Sequence, residues 1–216
     1  RSGFGLTPDR AFVTVQDMQL PAPIEAWFTT RGWSIHPHQR MMLERASDPA
    51  TLLIAPTGGG KTMAGFLPTL ADLSGTPRDG LHTLYVSPLK ALAADIKRNL
   101  RQPVEDLGLS IRIEDRTGDT SQTLKKRQRV DPPHILLTTP ESLAILLSYQ
   151  DAPNMFSGVQ RVIVDEIHAV AGSGSVAVAL GYPLYACCDF IILKTPQPVV
   201  LHQYRYPKFD GLVCRI

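Results

Sequence analysis

Cysteine is scarce in this chain: there are three in 216 residues, Cys187, Cys188 and Cys214, all towards the C-terminus. They form no C-x-x-C pair and have no matched histidines, so neither a zinc site nor a disulfide framework follows. No apolar run approaches the roughly 20 residues that cross a bilayer, and no membrane partner is expected. Charge of one sign is also lacking. The net value is only +2, with 44% apolar and 19% charged residues, as is ordinary for a soluble globular chain. Any surface for a polyanion must therefore be local. One candidate is Lys125-Lys126-Arg127-Gln128-Arg129, whose plainer reading is a solvated helix face. The same lack of a spanning run sets the expected location as the cytoplasm; an initiator Met and a secretory-type start are missing, so Arg1 reads as an internal cut and the chain as a fragment.

What is present has room for one α/β domain with a hydrophobic core and a tail, but not for two such domains. Residues 1–20 show no periodicity and read as an irregular lead-in. From Pro21 the apolar residues Ile24, Trp27 and Phe28 recur at helical spacing until Gly32, and His38 to Ala46 reads as a second short helix. An α/β rhythm follows. Strands are predicted at Thr51–Ala55, Thr83–Ser87, Ile111–Glu114, Ile135–Thr138 and Val162–Asp165, with helices at Thr62–Leu73, Leu89–Leu100 and Glu141–Ser148. Alternation of this kind means right-handed crossovers and a mostly parallel sheet with helices on both faces. Ligands of such sheets sit at the carboxyl ends of the strands, where Ala55, Ser87, Thr138 and Asp165 fall.

Two segments at that edge carry chemistry. Ala55-Pro56-Thr57-Gly58-Gly59-Gly60-Lys61-Thr62 follows a strand and opens a helix, as a phosphate-binding loop must, although its first position is Ala rather than Gly. Glycines let the backbone approach, so that successive N–H groups and the helix N-terminus surround phosphate oxygens. Lys61 is placed to bridge the β- and γ-phosphates of ATP, and the Thr62 hydroxyl to ligate Mg2+. The second segment, Arg161-Val162-Ile163-Val164-Asp165-Glu166-Ile167-His168, is an apolar strand that delivers two adjacent carboxylates. Asp165 suits the magnesium, and Glu166 suits polarisation of the water that attacks the γ-phosphate.

Together these residues resemble the superfamily 2 helicases, whose Asp-Glu-x-His box follows Ala-x-Thr-Gly-x-Gly-Lys-Thr. Tyr85-Val86-Ser87-Pro88-Leu89-Lys90-Ala91-Leu92-Ala93, Arg116-Thr117-Gly118-Asp119-Thr120 and Leu137-Thr138-Thr139-Pro140-Glu141-Ser142-Leu143 are similar to the large-helicase-related group. Ala26-Trp27-Phe28, Arg31-Gly32-Trp33, Pro37-His38-Gln39 and the Asp131-Pro132-Pro133 turn are similar to its ligase-associated DEXH-box helicases. The resemblance runs from about Leu20 to Ser173. It implies a first RecA-like P-loop NTPase domain over residues 21–173. It implies further that Gln39 reads adenine, that Pro88, Leu89, Lys90, Thr117, Gly118, Thr139, Pro140 and Glu141 line a single-stranded nucleic-acid track, and that His168 relays the nucleotide state.

By the same resemblance the whole protein is an ATP-dependent 3′-to-5′ DNA helicase or translocase of bacterial DNA repair, working with a DNA ligase and a nuclease. RNA stays open as a second substrate. A second RecA-like domain, absent here, would supply an arginine finger to the γ-phosphate. After Ser173 the resemblance stops: where the family has Lys-Arg-Gly, a long helix and Ser-Ala-Thr, the chain reads Gly174-Ser175-Val176-Ala177-Val178-Ala179-Leu180-Gly181-Tyr182. Residues 174–216 are therefore set apart as a tail with no recognised motif, in which Phe190-Ile191-Ile192-Leu193 has strand character. A shifted frame, an assembly error and genuine divergence each produce such a break. Two readings stand: an ATP-binding motor fragment that does not unwind by itself, and a non-catalytic nucleic-acid-binding remnant.

Overall fold

The computed structural model describes residues 20–48, 50–53, 60–75, 79–166 and 190–194. The lead-in, Ala55 to Gly59, His168 and the three cysteines lie outside the described residues.

The chain enters through two short helices, α1 (Ala22–Thr30) and α2 (Pro37–Glu44). Each carries a proline in its first turn, where a fixed φ suits a helix and a missing N–H costs nothing. Helix α1 buries Ile24, Trp27 and Phe28, and Gly32 ends it at φ 64°. Strand β1 (Ala50–Leu52) is shorter than expected, and Ile54 and Ala55 lie outside the described residues. Next come α3 (Lys61–Gly75), β2 (Thr83–Val86) and α4 (Lys90–Asp106). Helix α4 runs past its predicted end at Leu100, through Pro103, because Val104 still has core to cover.

Strand β3 (Ile113–Arg116) starts two residues later than the apolar pattern suggested. The Arg112 side chain is held by Asp131 and its backbone N–H donates to His134 Nδ1 at 3.0 Å, so at this residue only the carbonyl, which accepts the Ile135 N–H at 3.1 Å, joins the ladder. Helix α5 (Gln122–Val130) was not delimited by periodicity, because its one buried residue is the polar Gln128. Its start is nevertheless a local signal: Ser121 Oγ accepts the Leu124 N–H at 3.3 Å. The remaining elements are β4 (Ile135–Thr138), α6 (Pro140–Leu147), α7 (Ala152–Phe156), β5 (Arg161–Asp165) and β6 (Phe190–Lys194).

The sheet has six strands in the order β1-β6-β5-β2-β4-β3. Strands β5, β2, β4 and β3 are mutually parallel, as expected. Strand β6 is antiparallel to both β5 and β1, so the sheet is mixed, while β1 and β5 point the same way. The period-2 alternation of strand side chains divides the core between two faces. Leu84, Val86, Leu136, Val162 and Val164 pack under α6 and α7, against Leu143, Leu146, Met155 and Phe156. Tyr85, Ile135, Leu137 and Ile163 face the other way, towards Phe66 of α3 and Ala93, Ile96 and Leu100 of α4. Each such side chain contributes about 1.5–3 kcal/mol by burial. Both faces are covered, which is why the strands read as unbroken apolar runs.

Candidate functional site

Parallel register sets Val86, Thr138, Arg116 and Val164 abreast. The residues that follow them, Ser87, Thr139, Thr117 and Asp165, form the carboxyl rim of the sheet. The ladder continues one step into that rim, where the Ser87 N–H donates to Thr138 O at 3.1 Å.

On one side of the rim lies the end of the glycine loop. Gly60 has φ 75°, and Lys61 and Thr62, both half-buried, open α3. A Cβ on Gly60 would stand 3.0 Å from Gln39 Nε2, so Gly60 lies against the first turn of α2, and a side chain there would require Gln39 to shift. Gln39 is 5% exposed, and its Oε1 accepts the His36 backbone N–H at 3.0 Å. Its amide thus fixes the start of α2 with the oxygen and turns the nitrogen towards Gly60. Thr57, Gly58 and Gly59 lie outside the described residues, as does His168.

Facing this side is the end of β5. Glu166 adopts φ 52°, an uncommon left-handed conformation for a residue with a Cβ. That turn lets the Glu166 N–H donate back to Asp165 Oδ1 at 2.9 Å. The other oxygen, Oδ2, accepts the Tyr85 hydroxyl at 2.6 Å. Tyr85 is fully buried; burial first, and then the charge of Asp165, hold its phenol far above the ordinary tyrosine range. It is therefore a permanent donor. Sequence reasoning missed this contact, which joins residues 80 apart; the buried polar end of a tyrosine, which needs a partner, was the available signal.

The residues present fit magnesium. A carboxylate offers about four lone-pair sites, so Asp165 keeps acceptor capacity after its two hydrogen bonds, and the Thr62 hydroxyl is a second hard oxygen donor. Among the described residues no three His, Cys, Asp or Glu side chains gather as an all-protein cage. One carboxylate and one hydroxyl suit an ion held by one or two protein oxygens together with substrate phosphates and water.

The other side of the rim carries the residues expected to line a nucleic-acid track. Lys90 Nζ bonds both Asp119 oxygens at 3.0 and 3.1 Å, and it would stand 3.3 Å from a Cβ on Gly118. Lys125 Nζ donates to Gly118 O at 3.0 Å. Lys90, Thr117 and Gly118 are thereby brought together. Thr139 and Pro140, at the adjacent strand end, are buried, while Leu89 and Glu141 are exposed and Pro88 is half-buried. Thr139 Oγ1 accepts the Ser142 N–H at 3.4 Å and so caps α6. Thr117 donates its N–H to Thr120 Oγ1 at 2.9 Å. Arg116, 2% exposed, points its guanidinium at Lys125 O and Gln128 Oε1, with burial lowering its pKa. The basic run of α5 is largely consumed by the protein, since Arg127 pairs with Glu114 and Arg129 with Asp151.

Residues 36–179 match the DEAD/DEAH box helicase family. Among curated relatives, the chain is 38% identical over 177 residues to an ATP-dependent helicase Lhr-Core of Methanocaldococcus jannaschii, covering 74% of this chain and 21% of that protein. It is 44% identical over 161 residues to the Lhr helicase/probable uracil glycosylase of Mycolicibacterium smegmatis, covering 68% of this chain and 11% of that one. Among solved structures, helicase Lhr of Mycobacterium smegmatis bound to ssDNA and AMP-PNP superposes with a TM-score of 0.67 at 39% identity, over 74% of this chain and 22% of that one. The DUF1998 helicase MrfA bound to DNA and AMPPNP gives 0.64 at 28% identity, over 73% of this chain and 23% of that one. The chain spans about a fifth or less of the length of the curated relatives it matches.

Proposed function

The chain belongs to the DEAD/DEAH box helicase family, and on that premise we propose that its core is the first ATP-binding domain of an Lhr-like DNA helicase or translocase. It binds Mg-ATP on the Lys61 and Asp165 side of the rim and single-stranded DNA on the Lys90 and Gly118 side. One observation carries the proposal. A single sheet presents, at the carboxyl edge of its parallel strands, a helix opened by Gly60-Lys61-Thr62, a strand reaching Asp165-Glu166, and the Lys90, Thr117 and Gly118 cluster.

In this reading the Lys61 ammonium neutralises charge on the β- and γ-phosphates. Thr62 and Asp165 would hold magnesium, which supplies charge neutralisation and geometry at the phosphate oxygens. Glu166 orients the attacking water and takes its proton. The Lys90 side contacts phosphates and reads no bases, so translocation is independent of sequence.

An arginine finger from a second RecA-like domain contributes on the order of 10³ to 10⁵ in rate. This chain by itself therefore binds nucleotide, hydrolyses it feebly and does not separate strands. Work in DNA repair, with a ligase and a nuclease as partners, comes from the ligase-associated resemblance.

Nucleotide titration of the wild type and Lys61→Ala, with and without single-stranded DNA, tests the proposal. The expected result is Mg2+-dependent affinity in the wild type and its loss in the variant. Equal, negligible ATP affinity in both, with DNA binding retained, would leave a non-catalytic nucleic-acid-binding remnant instead.

A further inference from the structure

Tyr85 is a buried ionisable side chain at the rim to which the proposed reaction assigns no task. It sits in the middle of β2, fully buried, with its ring 5.6 Å from that of Phe66 on α3. Its hydroxyl reaches across to the neighbouring strand and donates to Asp165 Oδ2 at 2.6 Å. The Glu166 N–H occupies Oδ1 at 2.9 Å. Each oxygen of the carboxylate is therefore held by one donor, the first belonging to a strand and the second to a strained turn. A carboxylate fixed at both oxygens cannot rotate freely about its χ2 bond. Its remaining lone pairs are presented in one direction before any ligand arrives.

Resting on the proposed Mg-ATP site, we propose that Tyr85 is a positioning residue whose hydroxyl orients the Asp165 carboxylate for magnesium. Removing hydrogen-bond partners of metal-ligating carboxylates typically costs 10- to 100-fold in metal affinity. The ring contact with Phe66 belongs to the core and is separable from the hydroxyl.

The test uses the full chain with a fluorescent N-methylanthraniloyl-ADP probe, titrating Mg2+ at fixed nucleotide, beside thermal melting of the same samples. Tyr85→Phe deletes only the hydroxyl. Its half-saturating Mg2+ concentration is expected to rise roughly 10- to 100-fold, while the weak binding in EDTA and the melting temperature stay close to wild type. Phe66→Leu loosens the ring packing and keeps the hydroxyl. It is expected to lower the melting temperature and leave the Mg2+ requirement unchanged. An unchanged Mg2+ requirement in Tyr85→Phe, or a Tyr85→Phe chain that fails to fold where Phe66→Leu folds, would assign the hydroxyl to the core and overturn the proposal. Absence of Mg2+-dependent binding in the wild type itself would instead overturn the Mg-ATP site on which it rests.

Discussion

Strand β5 begins and ends with a charge, and the two ends are treated in opposite ways. At its start Arg161, 3% exposed, donates Nε and Nη2 to Asp72 Oδ2 at 3.0 and 2.8 Å and Nη1 to Ala46 O at 3.0 Å. Around it Thr83 Oγ1 joins Thr69 Oγ1 at 3.0 Å and His82 Nδ1 at 2.8 Å. This amino edge is a closed network that ties the start of β5 to α3 and to the turn after α2. At the other end Asp165 is half-buried and held by Tyr85 and Glu166, yet keeps lone pairs to offer. Among the described residues, the non-glycine residue with positive φ, Glu166 at 52°, also flanks the carboxyl rim. The Arg161 guanidinium is satisfied within the fold, while the Asp165 carboxylate at the rim keeps acceptor capacity for a ligand.

Substitutions at the two edges should separate function from stability. Lys61→Ala is expected to reduce ATP turnover by about 10² to 10³, as loss of one preorganised charge-stabilising donor does, with little change in melting; single-turnover hydrolysis measures it. Arg161→Met should do the reverse. Removing one partner of a buried pair costs about 3–5 kcal/mol, and roughly 2–3 here because Asp72 is 39% exposed and can turn to water. Urea unfolding would show that loss, while nucleotide affinity per folded molecule stays at the wild-type value. A large loss of affinity in Arg161→Met with stability intact would dissolve the distinction between the edges.

Gly60→Ala is expected to cost about 1–2 kcal/mol from positive φ alone, and to displace Gln39, whose Nε2 stands 3.0 Å from the new methyl position. Its effect should therefore appear in both melting and nucleotide titration, a result that neither Lys61→Ala nor Arg161→Met gives. Lys90→Ala should leave melting unchanged, because its pair with Asp119 is exposed on both sides. It should weaken single-stranded DNA binding uniformly across sequences and reduce the salt slope by about 1.

The smallest effect is one of pH, away from both edges. Asp106 has its pKa lowered first by the hydrogen bond from Trp27 Nε1, at 2.8 Å, and then by those from Gln102 and Arg31. A carboxyl depressed in the folded state stabilises above its unfolded value, near 3.9, and the contribution is lost as pH falls through the lower folded value. Melting followed from pH 7 to 3 should show a slightly shallower acid limb in Asp106→Asn.

Much of this organisation was legible locally. The apolar runs ending at Thr138 and Asp165 are strands that stop at those residues, since a run covered on both faces has a sharp end where the covering helices end. Gly32 marked a helix stop that the structure places at φ 64°. Other features depended on distant partners. Helix α5 buries a glutamine rather than an apolar stripe, so periodicity had nothing to register. The basic run within it is drawn into pairs with Glu114 and Asp151, which no spacing rule reports. The antiparallel seat of β6 between β1 and β5, and the hydroxyl of Tyr85 on Asp165, join segments far apart in the chain.

The most direct test of the two-edge account is ligand-induced stabilisation, measured by thermal melting with saturating Mg-AMP-PNP. A ligand at 100 times its Kd stabilises the state that binds it by about 2.7 kcal/mol. The upward shift should be present in the wild type, preserved in Arg161→Met despite its lower starting point, and abolished in Lys61→Ala. A shift of the same size in all three proteins, or in none, would contradict the assignment of the carboxyl rim as the nucleotide site.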